Sequence, residues 1–170
     1  YSFCTLLTSL PTDLVSMAVV ERQASQYQSL ATRTVTSAVV GKSAVDVWAQ
    51  IKSFEWQTFW PGLQGVTKPA GLTDDIAPVG AMFELNFGDF AYTARLAGFS
   101  DDGRGLSFDI VASTGEALAS SIFHTISVRK VTVTDGAFVE WIVDYSKDAA
   151  DDLITNGKFD RENALKALSA

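Results

Sequence analysis

Cysteine occurs once in this chain of 170 residues, as Cys4, and histidine once, as His124. One cysteine cannot form an internal disulfide framework, and one Cys with one His cannot make a Cys/His zinc site. Positive charge is also scarce. Thirteen Lys and Arg stand against 20 Asp and Glu, for a net charge of -7, and the basic residues are scattered singly. Nucleic-acid binding needs clustered cations that displace counterions from phosphates, so no nucleic-acid partner is expected, and an anionic membrane surface is disfavoured for the same reason. No phosphate loop, dinucleotide fingerprint, nucleophile elbow or zinc-protease motif is present, so no cofactor and no metal is expected.

Long hydrophobic runs are missing as well. The apolar N-terminal stretch, Tyr1 to Ala18, is interrupted by Pro11 and Asp13 and lacks a basic leading region. It is too short and too broken to span a bilayer, so no stable membrane insertion is expected. Met17 reads as the natural start, with residues 1–16 a non-native extension. The rival reading takes Ser16-Met17-Ala18 as a signal-peptide remnant. The first reading goes with a cytoplasmic location, which the lack of disulfides fits, and the second with secretion.

Apolar side chains are plentiful. The composition is 47% hydrophobic and 19% charged, with 11 Phe, 4 Trp and 4 Tyr, and that charged share lies below the usual quarter. A chain of this length favours one domain. The surplus apolar material requires a large core, a lined cavity or a partner surface. The expected organisation is an N-terminal extension over 1–31 and a ligand-binding domain over 32–170, acting as a monomer or weak homodimer.

Periodicity and turn residues give an element order. Thr32 to Val40 is β-branched and reads as a strand. Ser43 stands at an N-cap position before a helix over Ala44 to Ile51. Phe54 to Trp60 reads as a second short helix, stopped by Pro61-Gly62. Strand-like segments follow over 63–68, 81–87, 90–99, 105–112, 121–134 and 137–145, and Asp135-Gly136 is the clearest hairpin signal. Short turns between neighbours require antiparallel pairing. The last element, 149–170, carries Leu153, Ile154, Leu165 and Leu168 as an apolar stripe at helical period. Gly157 lies on that stripe, where glycine costs about 1 kcal/mol relative to alanine; either another group approaches closely there, or the helix kinks or breaks. A sheet with one face to bury needs a cover, and the final helix provides it. The fold class is α+β: a curved antiparallel sheet of about seven strands wrapped on a long C-terminal helix, with two short helices after the first strand.

This order, with several short motifs, resembles the helix-grip (START-like, SRPBCC) superfamily of birch-pollen-type allergens, lipid-transfer domains, abscisic-acid receptors and aromatic polyketide cyclases. The motifs are Ala44-Val45-Asp46-Val47-Trp48-Ala49, Phe59-Trp60-Pro61-Gly62, Val79-Gly80-Ala81, Arg95-Leu96, Asp101-Asp102 with Leu106-Ser107-Phe108, and Val139-Glu140-Trp141. The resemblance implies a hydrophobic cavity between sheet and last helix. Matched to the abscisic-acid receptors, Ala94, Phe108, Ile110 and His124 fall on the cavity side, and strand alternation adds Tyr92, Leu96 and Ile122. Trp141, Val143 and Tyr145 form the apolar side of the last strand, opposite Glu140 and Asp144. Trp60, Leu153 and Gly157 are expected to close the pocket. The departures disfavour hormone perception: Thr67 replaces the receptors' anchoring lysine, Ala94 replaces a glutamate, the gate loop is reduced to Gly88-Asp89, and no His-Arg-Leu latch follows Ala112.

Chemistry is thinly represented. His124 alone has an unperturbed pKa near neutrality; facing the pocket, it could polarise a carbonyl or move a proton in a cyclisation or dehydration, with Tyr92 as a second catalytic candidate. The alternative is a hydrogen-bonded strand histidine, or an outward one if the register slips by one residue. Tyr145 and Glu84 are the remaining donors or acceptors, and Glu84 also reads as a solvent-facing strand residue. Asp101-Asp102 and Asp151-Asp152 read as a turn and a helix N-terminus, where aspartate is favoured. Three functions stay open: a carrier or binding protein for a small hydrophobic molecule (lipid, sterol, polyketide or pigment), a cyclase or dehydratase without metal or nucleotide cofactor, and a protein-interaction module. Convergent polar groups including His124 would favour the enzyme and a dry pocket the carrier.

Overall fold

The computed structural model describes residues 30–73, 78–115 and 119–169. Seven strands form one antiparallel sheet: β1 (Leu30–Val40), β2 (Gly65–Thr67), β3 (Met82–Asn86), β4 (Ala91–Ser100), β5 (Gly105–Thr114), β6 (Ile122–Val131) and β7 (Gly136–Ser146). Their order across the sheet is β1-β7-β6-β5-β4-β3-β2. β2 to β7 thus follow the chain as a meander, and β1 adds to the far side of β7. Helix α1 (Ala44–Lys52) follows β1, and helix α2 (Asp151–Ser169) ends the chain. Both cover the same face of the sheet, α1 against β6 and β7 and α2 against β1 and β7. Among the described residues no helix is long and apolar enough to cross a membrane.

Alternation decides which side chains meet. On β5 Leu106, Phe108 and Ile110 point inward, on β6 Ile122, His124, Ile126 and Val128, and on β7 every second residue from Ala137 to Tyr145. Glu84 is exposed on β3, and Arg95 is turned outward, where it pairs with Asp109. Register shifts between Thr93 and Ala94 and between Leu96 and Gly98 interrupt the β4–β5 ladder, and such irregularities bend a sheet.

Helix α1 begins as its cap residue predicts: the Ser43 hydroxyl accepts from the Asp46 amide at 3.2 Å. At its other end Trp48 Nε1 and Lys52 Nζ both reach Asp101 Oδ1, at 2.6 and 3.0 Å, and tie the helix to the β4–β5 turn. Asp101 is therefore a structural turn residue, held below the usual carboxylate range first by the Trp48 hydrogen bond.

Three expectations change. The second short helix, expected over Phe54 to Trp60, is a single 3-10 turn, Trp56–Thr58. Phe54 takes φ +58°, a costly conformation for an aromatic residue, and this breaks the helix while turning its ring into the core. The strand expected to run to Thr134 ends at Val131, and Gly136 is already paired in β7. The positive φ of that turn falls on Asp135, at +55°. Gly136 is needed for another reason: a Cβ there would lie 2.6 Å from the Val40 carbonyl oxygen. The strand expected from Thr32 starts at Leu30; the remainder of the expected N-terminal extension, residues 1–29, lies outside the described residues, as do Cys4 and Met17.

Candidate functional site

The two helices do not fill the sheet's inner face equally. Beneath α1 and the 3-10 turn, aromatic rings pack solidly. Phe54 stacks on Trp56 with centroids 5.1 Å apart, and Trp56 meets Phe83 and Phe108 at 5.8 and 5.4 Å. Beneath the first half of α2 the space stays open, as a cavity of about 390 Å³. Trp60 is the partition: its ring meets Trp141 edge-on at 4.8 Å on the packed side and also lines the cavity.

The division explains where the sequence-derived pocket residues lie. Trp60, Tyr92, Ile110, Ile122, His124 and Tyr145 line the cavity from sheet and loop, and Leu153 and Gly157 from α2. Ala94, Leu96, Phe108, Trp141 and Val143 occupy the inner face as alternation requires, yet they are buried in the packed half and do not line the cavity. The physical reason is the extent of the aromatic plug, which covers the middle of the sheet and leaves the end under the first half of α2 hollow. Gly157 answers the question posed by its position. A Cβ there would stand 3.0 Å from the Tyr145 hydroxyl and 3.1 Å from an Arg161 terminal nitrogen, so glycine leaves room for a close approach inside an unbroken helix.

His124 is held by two aromatic neighbours. Phe108 stacks on its ring at 4.5 Å, nearly parallel, and Trp141 Nε1 donates to its Nδ1 at 3.1 Å. With Nδ1 accepting, the neutral ring carries its proton on Nε2. Burial pushes its pKa well below the ordinary value, and the Arg161 cation lowers it further. The histidine is therefore neutral near pH 7.

Arg161 is a buried wall residue that sequence reading missed. It is 2% exposed. Its guanidinium donates to the Tyr145 hydroxyl at 3.1 Å and to Thr34 Oγ1 at 2.8 Å, and it lines the cavity. Among the described residues no carboxylate forms an ion pair with it. A signal was available: position 161 falls four residues after Gly157 and four before Leu165, on the apolar stripe itself. A cation at the centre of an apolar stripe is either paired or functional.

At the mouth, the Asp148 carboxylate accepts from the Ser120 amide and hydroxyl and from the Ser146 hydroxyl. These donors, the Ser120 hydroxyl foremost, lower its pKa to about 2. The bonds clip the approach to β6 against the end of β7, beside the cavity.

No protein-family model and no curated protein matches the chain. Solved structures do. XoxI from Bacillus cereus is similar with a TM-score of 0.68 and 22% identity, over 82% of this chain and 94% of that one. Ara h 8.0201 is similar with a TM-score of 0.63 and 12% identity, over 81% and 94%. Ginseng major latex-like protein 151 from Panax ginseng gives 0.64 and 12%, over 84% and 99%. The chain has the helix-grip fold.

At these identities the likeness speaks for the fold alone. Within the helix-grip frame, Thr67 is exposed on β2 and away from the cavity, and Gly88-Asp89 is the tight β3–β4 turn. The Gly88 amide there donates to Asn86 Oδ1 at 2.7 Å. Further cavity walls that sequence reading did not select are Leu85, Phe87 and Phe90, together with Ala119, Asn156 and the mouth aspartates Asp148, Asp152 and Asp160. Phe87 and Phe90 stack at 4.8 Å and flank that tight turn. Two rings on either side of a turn carry no alternation signal, which is why periodicity did not reveal them.

Proposed function

We propose that this protein binds a small hydrophobic molecule, of the lipid, sterol, polyketide or pigment class, in the cavity under α2, as a carrier or binding protein. The observation that carries this reading is the cavity itself. Its volume of about 390 Å³ lies within the range of roughly 300–1,000 Å³ common to small-molecule sites, and its sheet wall is chiefly aromatic and aliphatic. Glycine at 157 supports it too, because a larger residue would close the space. Native mass spectrometry of protein purified from its host, expected to show a reproducible small molecule, is one test. Gly157→Leu is the other: the folded variant should bind the neutral dye Nile red at least tenfold more weakly. Absence of any copurifying molecule together with unchanged dye binding by the variant would refute the reading.

The second reading is a cyclase or dehydratase, favoured by the convergence of His124, Tyr145 and Arg161 on one cavity wall. Its chemistry would differ from simple acid–base catalysis by His124. With Nδ1 bonded to Trp141, the ring offers Nε2–H to a carbonyl oxygen and has no free lone pair to take a proton. Full turnover of a polyketide cyclisation substrate by His124→Ala would remove that residue from the mechanism.

A further inference from the structure

The polar groups on the cavity wall are unbalanced. Arg161 is a buried cation with no carboxylate pairing it among the described residues, and its Nε is buried without a hydrogen-bond partner. The Nε1–H of Trp60, on the same wall, is likewise buried without an acceptor. His124 contributes a third N–H, since the Trp141 bond to Nδ1 leaves the proton on Nε2. The Tyr145 hydroxyl accepts from Arg161, which turns its own hydrogen toward some other acceptor. Four residues that line the cavity therefore carry N–H or O–H donors.

The carboxylate and amide acceptors of the same lining belong to exposed residues, Asp148, Asp152, Asn156 and Asp160. Asp148 is already engaged by Ser120 and Ser146. Asp152 and Asp160 are exposed at the mouth, where water screens them. An anchoring role for Arg161 accounts for the bonds to Thr34 and Tyr145 but not for the unpaired Nε. Nor does it account for a buried cation that no carboxylate pairs among the described residues, a costly arrangement unless something completes it. Guanidinium matches an oxygen anion with two parallel N–H bonds, and the indole and imidazole donors suit the same ligand atom type.

We propose that the ligand is an organic acid: an apolar body lying against the aromatic wall, with a carboxylate received by Arg161 and supported by Trp60, His124 and Tyr145. This rests on the container reading above and specifies its occupant. Arg161 then has two tasks. It ties α2 to β1 and β7 through Thr34 and Tyr145, and it provides the charge that orients the ligand acid-end inward.

The test compares decanoate with decan-1-ol, two probes of equal chain length that differ only in the head group, by isothermal titration at pH 7.5 on the full chain. The wild-type protein is expected to bind decanoate at least tenfold more tightly than decanol. Arg161→Met, folded by circular dichroism, should lose at least tenfold in decanoate affinity while decanol changes by less than threefold. If Arg161→Met does not fold, the wild-type ratio still decides, with Trp60→Phe as a second variant expected to weaken decanoate by threefold or more. Decanol binding as tightly as decanoate overturns the proposal and leaves the container reading standing, as does an unchanged preference in folded Arg161→Met. Binding of neither probe refutes the container reading and this proposal with it.

Discussion

Replacing Trp141 by Phe isolates the hydrogen bond that holds His124. Trp141 is 1% exposed, so the change takes effect in the packed core. Two costs add. The phenyl ring lacks the nitrogen and two carbons of the indole, and at about 0.8 kcal/mol per buried carbon the lost packing is roughly 1.6 kcal/mol. His124 Nδ1, which accepts from Trp141 at 3.1 Å, is left buried without a donor, at a cost of about 1–3 kcal/mol. The expected destabilisation is therefore between about 2.5 and 4.5 kcal/mol. Trp60→Phe is the matched control. It removes the same atoms from a similarly buried ring, but the Trp60 N–H has no acceptor to lose, so only the packing cost applies, about 1.6 kcal/mol at most. Urea denaturation monitored by circular dichroism measures both. The side chain has a second readout, because His124 is the sole histidine and its imidazole nitrogen resonances are assigned without ambiguity. In the wild type they should report an Nε2–H tautomer, and in Trp141→Phe that preference should vanish. Equal destabilisation by the two variants, or an unchanged tautomer in Trp141→Phe, would refute the reasoning.

Acid should destabilise the protein through His124 before it does so through the carboxylates. The folded pKa of His124 is lowered, so between about pH 6.5 and its folded pKa the unfolded chain binds the extra proton. Stability from this group is thus complete above pH 6.5 and falls by up to about 1.4 kcal/mol per pH unit below it. Denaturation at pH 6.5 and 5.0 should show this loss, and His124→Gln should flatten it; Asp148, with its pKa lowered to about 2, contributes its own loss only below about pH 4. Gly136→Ala should cost about 1–3 kcal/mol, the range for overpacking, because its Cβ would be forced against the Val40 carbonyl; a melting temperature within a degree of wild type would contradict the contact.

Much of the architecture was legible because it depends on local chemistry. Ser43 announces α1 through its side-chain bond, and alternation orients β4 to β7 correctly, including the inward turn of His124. Boundaries that depended on strain or close approach were less legible. Phe54 takes positive φ because its ring is buried against Trp56 and Phe83, and Gly136 is a strand residue because Val40 presses on it. Neither cause is encoded near the residue itself.

The pocket divides along the same line. The sequence by itself determined which side chains face inward, since a period of two or of 3.6 residues is a property of the backbone. It did not determine which part of that inner face stays hollow. That follows from how far the aromatic plug of Phe54, Trp56, Phe83 and Phe108 extends across the sheet, a sum of side-chain volumes from elements distant in the chain. Hence Ala94, Leu96, Phe108, Trp141 and Val143 are core, whereas Tyr92, Ile110, Ile122, His124 and Tyr145 are wall. The same holds for Arg161. Its place on the apolar stripe could be read from the spacing, but its partners could not: Thr34 is 127 residues away, and only the closing of α2 over β1 and β7 brings cation, hydroxyl and cavity together.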